Sequence, residues 1–305
     1  MTAAALLPIT PALRQGRALP IDVISVQSQV VYGCVGNSVA VPTLQGLGLG
    51  VAAVPTVLLS NTPHYPSVDG GAIPDAWFSG YLYELEARGV MASVRAILLG
   101  YLGNPGQARI LASWLEHTMA RWPDIRVHID PVIGDYGQGI YVSPELIPAY
   151  RQRLLPHAHG LTPNGFELAR LTGRRLHGID TVIDAARSLL VGRTEWVVVT
   201  SAIDPDSGPA MPAPVDDSIT VAVVTRHGAQ LLAHPRIALD AKGTGDLFSA
   251  MLTGQLLADV PLRDAAARAC DEVIATLKRT RQAGCNELIL NSHTALQPCS
   301  HNKEH

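Results

Sequence analysis

The stretch Asp240-Ala241-Lys242-Gly243-Thr244-Gly245-Asp246-Leu247-Phe248 places small residues with free backbone N–H groups directly before a helical apolar pattern, Leu247, Phe248, Met251, Leu252, Leu256 and Leu257. The first N–H groups of a helix have no internal partner, and the helix dipole adds partial positive charge, so this stretch predicts an anion site. Asp246 falls at the mouth of the predicted helix, Asp246 to Leu257, where a carboxylate can take a proton from an attacking hydroxyl. The alternative for the same residue is a helix N-cap after a glycine turn. A phosphate loop of the form G-x-x-x-x-G-K-[ST] is missing from the sequence, and Lys242 precedes the glycines instead of following them.

Two further stretches carry charge at the ends of predicted strands. Val127-His128-Ile129-Asp130-Pro131-Val132-Ile133-Gly134-Asp135 puts carboxylates at the edge where open α/β sheets bind ligands. Thr162-Pro163-Asn164-Gly165-Phe166-Glu167 follows a short strand and opens a helix. Asn164 with Glu167 has the form of a capping box; the same Glu beside a polyphosphate could hold Mg²⁺ through water.

The elements that must position these groups alternate between apolar β-like runs and amphipathic ones. Strands are predicted at Ile21 to Gln27, Val51 to Leu59, Arg95 to Leu99, Val127 to Ile129, Gly160 to Leu161, Trp196 to Thr200 and Thr220 to Thr225. Helices are predicted at Asn37 to Leu47, Gln107 to Arg121, Gly165 to Thr172, Ile179 to Leu190, Asp246 to Leu257 and Leu262 to Arg279. The rhythm predicts an α/β fold, a mostly parallel sheet covered by helices.

Composition limits what such a fold does. The 305 residues are 47% hydrophobic and 16% charged, enough apolar material for a large core, and the net charge of −3 excludes a general basic field for nucleic acid or an anionic membrane. From Val23 to Val68 there is no Asp, Glu, Lys or Arg, where the chain's own charged fraction would place about seven. A membrane span is disfavoured because Val39 to Leu59 contains Pro42, Gly46, Gly48, Gly50 and Pro55. Gly48-Leu49-Gly50-Val51-Ala52-Ala53 fits a permissive dinucleotide pattern but leads into a β-rich run, not a helix. The reading that remains is a strand, helix and second strand whose loops, with Ser28, Asn61, Thr62 and His64, line a pocket for an uncharged ligand.

Residues 1–20 read as a flexible N-terminal arm without the features of a secretory signal, 21–290 as one domain, and 291–305 as a polar, disordered tail. Asp204 to Asp217 reads as a proline-rich surface loop. Cys34, Cys270, Cys285 and Cys299 are too scattered for a zinc site or disulfide scaffold, and His157-Ala158-His159 reads as solvated.

Taken together, Gln27-Ser28-Gln29-Val30-Val31-Tyr32-Gly33, Gly36-Asn37-Ser38, Ser60-Asn61-Thr62-Pro63-His64-Tyr65, Gly100-Tyr101-Leu102-Gly103, Asp130 to Asp135, Asn164 with Glu167, and Gly243-Thr244-Gly245-Asp246 resemble the pyridoxal kinases of the ribokinase-like superfamily, and among them the bacterial pyridoxine/pyridoxal/pyridoxamine kinases. The resemblance runs from about Ile21 to Leu290. It implies a ribokinase-like fold with helices on both faces of the sheet, and transfer of the γ-phosphoryl group of MgATP to the 5′-hydroxymethyl group of a B6 vitamer. It implies Asp246 as the base, Gly243, Thr244 and Gly245 as the anion hole, and Ser28 and His64 with Asp246 as vitamer contacts. It assigns Asp130, Thr162, Glu167, Thr200 and Thr244 to ATP, His234, Pro235, Arg236 and Ile237 to its base, and Glu167 and the Tyr141 region to the metal. Lys242 would neutralise phosphate charge, form an imine with pyridoxal, or lie solvated at a turn. A cytoplasmic homodimer is implied. A sibling kinase for hydroxymethylpyrimidine or a sugar, and a non-catalytic B6-binding protein, are the competing readings.

Overall fold

Consecutive apolar residues make the middle of the sheet, because a strand covered by helices on both faces has no solvent side for polar residues. Ala96-Ile97-Leu98-Leu99 shows the division: Ile97 and Leu99 join the larger core on one face, Ala96 and Leu98 a second cluster on the other. The structure, a computed structural model, describes residues 18–203 and 218–291; the arm up to residue 17, the loop 204–217 and the tail from 292, Cys299 included, lie outside the described residues.

In chain order the elements are β1 (Val23–Tyr32), α1 (Asn37–Gly46), β2 (Val51–Asn61), β3 (Gly70–Ala72), α2 (Asp75–Ala87), β4 (Ala96–Leu99), α3 (Pro105–Arg121) and β5 (Arg126–Ile129). A small hairpin follows, β6 (Gly134–Asp135) with β7 (Gly139–Ile140), then α4 (Leu146–Ala149) and β8 (Gly160–Leu161). The remainder is α5 (Gly165–Thr172), α6 (Ile179–Arg187), β9 (Trp196–Val199), β10 (Ser218–Thr225), β11 (Gly228–Pro235), α7 (Thr244–Leu257) and α8 (Leu262–Gln282).

Nine strands form one sheet in the order β11-β10-β9-β8-β5-β4-β1-β2-β3. The six from β9 to β2 run parallel, and β3, β10 and β11 are antiparallel at the two edges. The chain leaves β1 first toward β2 and later returns to its other side as β4, so the strand order reverses between β1 and β4. Such a reversal opens a crevice at the carboxyl ends of the strands. Residues of α3 and α6 pack in the larger core on one face; residues of α1, α7 and α8 cover the other.

The predicted elements are all present, with three differences. β1 continues five residues past Gln27, with a register shift between Gln27 and Gln29, so Ser28 lies inside a bulged strand and not in a loop. α7 begins at Thr244 with Gly243 as its N-cap, so Asp246 is the third helical residue and not the cap. β3, the β6–β7 hairpin, β11, α2 and α4 are additional; only Phe78 and Leu82 of α2 are buried, which leaves little periodic signal in its sequence. The Gly48 pattern does lead into a strand, and no helix among the described residues is long and apolar enough to cross a membrane.

α7 is pinned to the sheet by a buried polar contact. His128 Nδ1 of β5 lies 2.9 Å from Thr253 Oγ1 of α7, with the Trp196 ring edge-on at a centroid distance of 5.1 Å. Burial lowers the His128 pKa to about 3, helped by His159 and Arg126, so the imidazole is neutral in the fold. The unfolded chain takes up this proton near pH 6.5 and the native state only near 3. The histidine's stabilising contribution is therefore complete above 6.5 and falls as pH drops through that window. The unfolding free-energy advantage of the parent over His128→Gln, measured by denaturant titration, should shrink between pH 7 and pH 5, by about 1.4 kcal/mol per pH unit below 6.5. An advantage unchanged across that range would contradict the desolvated, neutral state.

Candidate active site

Five of the six parallel strands deliver a polar or ring side chain just past the carboxyl end: Thr62 and His64 after β2, Tyr101 after β4, Asp130 after β5, Thr162 after β8 and Thr200 after β9. With the N-terminus of α7 they surround two cavities. One, of about 620 Å³, is lined by Asp130, Thr162, Asn164, Glu167, Thr200 and Arg236 together with residues 240–246. The other, of about 300 Å³, is lined by Ser28, Val57, Leu59, Thr62, His64 and Tyr101. Val132, Asp135, Gln138, Tyr141, Lys242, Gly243 and Asp246 belong to both walls. A group at Asp246 therefore faces the contents of either cavity.

The anion end is built from backbone. Gly243 has φ 87°, and a Cβ there would lie 2.0 Å from the Cys34 carbonyl oxygen, so only glycine lets α7 start this close to the turn after β1. No side chain caps the helix, which leaves its first N–H groups open to the cavity. Asp246 Oδ2 accepts a 2.8 Å hydrogen bond from the Gly36 N–H. Gly36 is itself irreplaceable on geometry: φ is 54°, and a Cβ would lie 2.2 Å from Ser28 Oγ and 2.3 Å from Ser28 O. Burial raises the Asp246 pKa above the ordinary carboxylate range, and the Gly36 amide partly offsets it.

Two more buried carboxylates face the same cavity. Glu167 completes a capping box, with Asn164 Oδ1 accepting from Glu167 N and Glu167 Oε2 accepting from Asn164 N, both at 2.9 Å. Its other oxygen accepts from Ile133 N at 2.7 Å and Gly134 N at 3.4 Å, so one side chain secures both α5 and the β6–β7 hairpin. Burial pushes Glu167 up to about 7 against these amides. Asp130 is raised well above its usual range, by burial first and then by Glu167 and Asp246. Between Asp130 and the hairpin, Val132 adopts φ 44°, a left-handed conformation costly for a β-branched residue, at the wall common to both cavities.

Asp246 and Glu167 accept hydrogen bonds from backbone amides. Their excess negative charge fits a bound cation. Among the described residues no group of three or more His, Cys, Asp and Glu could hold a metal ion. The donor set suits hydrated Mg²⁺, shared between a carboxylate or two and the oxygens of a phosphate ligand. Thr162, which lines the larger cavity, carries a buried hydroxyl without a hydrogen-bond partner. Tyr141, on the common wall, is held as a neutral phenol by burial and the nearby Glu167 and Asp130.

The predicted residues converge with few exceptions. Ser28 and His64 stand in the smaller cavity and Asp130, Thr162, Glu167, Thr200 and Arg236 in the larger, while Lys242, Gly243 and Asp246 line both. His234, Pro235 and Ile237 are not among the lining residues; His234 and Pro235 end β11. Lys242 Nζ lies 3.1 Å from Asp240 Oδ1. The sequence reading did not single out Val57, Leu59, Gln138 or Tyr136 as site residues. It also missed the role of Gly36, whose contribution is a backbone N–H that no side-chain pattern reports.

The chain matches the family model for phosphomethylpyrimidine kinase over residues 84–291. It is 58% identical over 272 residues to the pyridoxine/pyridoxal/pyridoxamine kinase of Bordetella bronchiseptica, covering 89% of this chain and 94% of that one. The structure of pyridoxal kinase from Leishmania donovani in complex with ADP and pyridoxamine superposes with a TM-score of 0.77 at 29% identity, covering 89% of this chain and 91% of that one. Pyridoxal kinase from Entamoeba histolytica, at 23% identity, has the same fold, with a TM-score of 0.80 over 88% of this chain and 92% of that one.

Thr162→Val separates ligand contact from folding at this site. Because the hydroxyl has no hydrogen-bond partner, its loss should leave the ligand-free melting temperature unchanged or raise it by up to about 2 °C. A fall of several degrees would mean that the hydroxyl holds the fold.

Proposed function

The chain belongs to the phosphomethylpyrimidine kinase family and to its pyridoxine/pyridoxal/pyridoxamine kinases, and on that premise we propose that Asp246 is the base for transfer of the ATP γ-phosphoryl group to the 5′-hydroxymethyl group of a B6 vitamer. The chain is an ATP-dependent kinase of B6 vitamers. The observation that carries the assignment is the wall common to both cavities, where Asp246 and the start of α7 meet whatever each cavity holds.

The smaller cavity, with Val57, Leu59 and Tyr101 as apolar walls and Ser28, Thr62 and His64 as hydrogen-bonding groups, suits a small aromatic vitamer. The larger one, with the open N–H groups of α7 and the Thr162 and Thr200 hydroxyls, suits a triphosphate. With the vitamer hydroxyl at the junction, Asp246 takes its proton as the oxygen attacks the γ-phosphorus, and the amides of Gly243, Thr244 and Gly245 face the charge that develops on the transferring group. The Gly36 N–H keeps the carboxylate directed to that point. Mg²⁺, held by Glu167 and Asp130 through water, would supply charge neutralisation of the phosphates. Lys242, beside the α7 start, would add a positive charge on the same oxygens.

Hydroxymethylpyrimidine is a second acceptor favoured by the family match over residues 84–291, since it is an aromatic ring of similar size with a hydroxymethyl group. The proposal includes one kinase domain over residues 21–290, supported by a single continuous sheet from β1 to β11, and a cytoplasmic homodimer. Exposed Val31, Tyr32, Leu58 and Trp77 on β1, β2 and α2 support an interface between copies.

Asp246→Asn should lower kcat by about 10²- to 10⁴-fold in a coupled assay while retaining pyridoxal binding by calorimetry. Turnover equal to the parent's would remove Asp246 from the role of base. A base must be ionised, so the parent's kcat should rise with pH through a midpoint above the ordinary aspartate range, the direction in which burial moves this residue. The same assay across pyridoxine, pyridoxal, pyridoxamine and hydroxymethylpyrimidine, with and without Mg²⁺, ranks the acceptors and tests the metal.

A further inference from the structure

The chain after α8 turns back toward the vitamer cavity and is tied down on the way. Thr280 Oγ1 accepts from Ile289 N at 2.9 Å and Arg279 Nε donates to Ile289 O at 3.3 Å, while Leu288 and Leu290 are buried with Cys34, Val39 and Leu247. Cys34 Sγ lies 3.2 Å from Leu288 O, a second tie to the turn between β1 and α1. This anchoring brings Glu287, 253 residues from Cys34 in sequence, to the rim of the substrate site.

The two oxygens of Glu287 face different parts of that site. Oε2 accepts a 2.8 Å hydrogen bond from Cys34 N. Oε1 is buried with no partner at hydrogen-bond geometry and lies 3.8 Å from His64 Nε2; the Tyr65 phenol also stands close to this carboxylate, whose charge, after desolvation, helps to raise the phenol's pKa. A Cβ at Gly33 would lie 2.0 Å from Thr62 Oγ1 and 2.9 Å from Glu287 Oε1, so the carboxylate abuts the loop that carries Thr62 and His64. Thr62 and His64 line the smaller cavity, and the Cys34 turn continues to Gly36, whose N–H holds Asp246.

We propose that Glu287 is a positioning residue of the vitamer pocket, acting through His64 on one side and through the Cys34–Gly36 turn on the other. The inference rests on the vitamer-kinase reading above. A distance of 3.8 Å is beyond hydrogen-bond range, and catalytic contacts of this kind tighten when the site is filled. Closing by about 1 Å makes Nε2–H a donor to the carboxylate, which fixes the ring and its tautomer with Nδ1 turned toward the vitamer. Through Cys34 the same carboxylate keeps the amide of Gly36 at Asp246.

Glu287→Gln separates these roles, because the amide oxygen still accepts from Cys34 N while the amide NH₂ confronts Nε2 and opposes the required tautomer. Expected is a rise of about tenfold in KM for pyridoxal, with kcat and KM for ATP each within about threefold of the parent. In a His64→Ala background the same substitution should change KM for pyridoxal by less than about twofold, since its effect passes through the imidazole. An unchanged KM for pyridoxal in Glu287→Gln, an equal rise in both KM values, or an undiminished effect without His64 would each overturn the proposal. A parent enzyme inactive on all three vitamers would instead overturn the functional reading itself, so the two failures are distinguishable.

Discussion

One hydrogen bond, from the backbone N–H of Gly36 to the carboxylate of Asp246, joins the two halves of the sequence at the wall common to both cavities. Its donor stands before α1 and its acceptor at the third residue of α7, and both helices pack on the same face of the sheet. The bond requires glycine twice: at Gly36, because a side chain would strike Ser28, and at Gly243, because a side chain would strike the Cys34 carbonyl. The vitamer-side strand and the anion-side helix can then approach to backbone contact, which a one-carbon side chain at either position would prevent. The Asp246 carboxylate is thus directed by a group that cannot rotate away or titrate.

Around that contact the charges are arranged against each other at a cost to the ligand-free protein. Asp130, Glu167 and Asp246 are buried and raised in pKa because desolvation, joined at Asp130 by repulsion from the other two, outweighs the hydrogen bonds they accept. The open amides of α7 oppose this only in part. In the proposed reaction a polyphosphate and its cation would supply both partners, so that local cost would be repaid as affinity and alignment. The left-handed Val132 and the unsatisfied Thr162 hydroxyl belong to the same pattern of local cost at a functional centre. The cost is carried by a sheet whose central strands are almost wholly buried and by fixed polar pins such as His128 with Thr253.

Ser28 and Asp246 show where sequence reasoning placed a residue correctly in the site but not in its element. Ser28 sits in a strand bulge because β1 continues past the apolar run that announced it, and the register shift, not a turn, aims the side chain. Asp246 sits inside the helix because Gly243 takes the cap conformation without a side chain. The capping box at Asn164 and Glu167 was legible as a local pattern, yet its carboxylate also binds amides of Ile133 and Gly134, more than 30 residues earlier. Glu287 gave no signal at all, since a lone carboxylate in a short polar segment has no period or motif.

The amino-acid sequence determined the alternation of buried strands and helices, the glycine-led start of α7, the carboxylates at the strand ends, and an uncharged interval from Val23 to Val68 that forms a wall of the smaller cavity. These are local properties: periodicity, capping and the conformations open to glycine act over a few residues and leave their mark there. Tertiary structure alone decided that two cavities meet at Asp246, that Gly36 rather than a side chain directs the carboxylate, and that Glu287 reaches His64 from the far end of the chain. Those facts depend on strand order and on backbone groups, which every residue possesses alike, and only the packing of distant segments selects which of them meet.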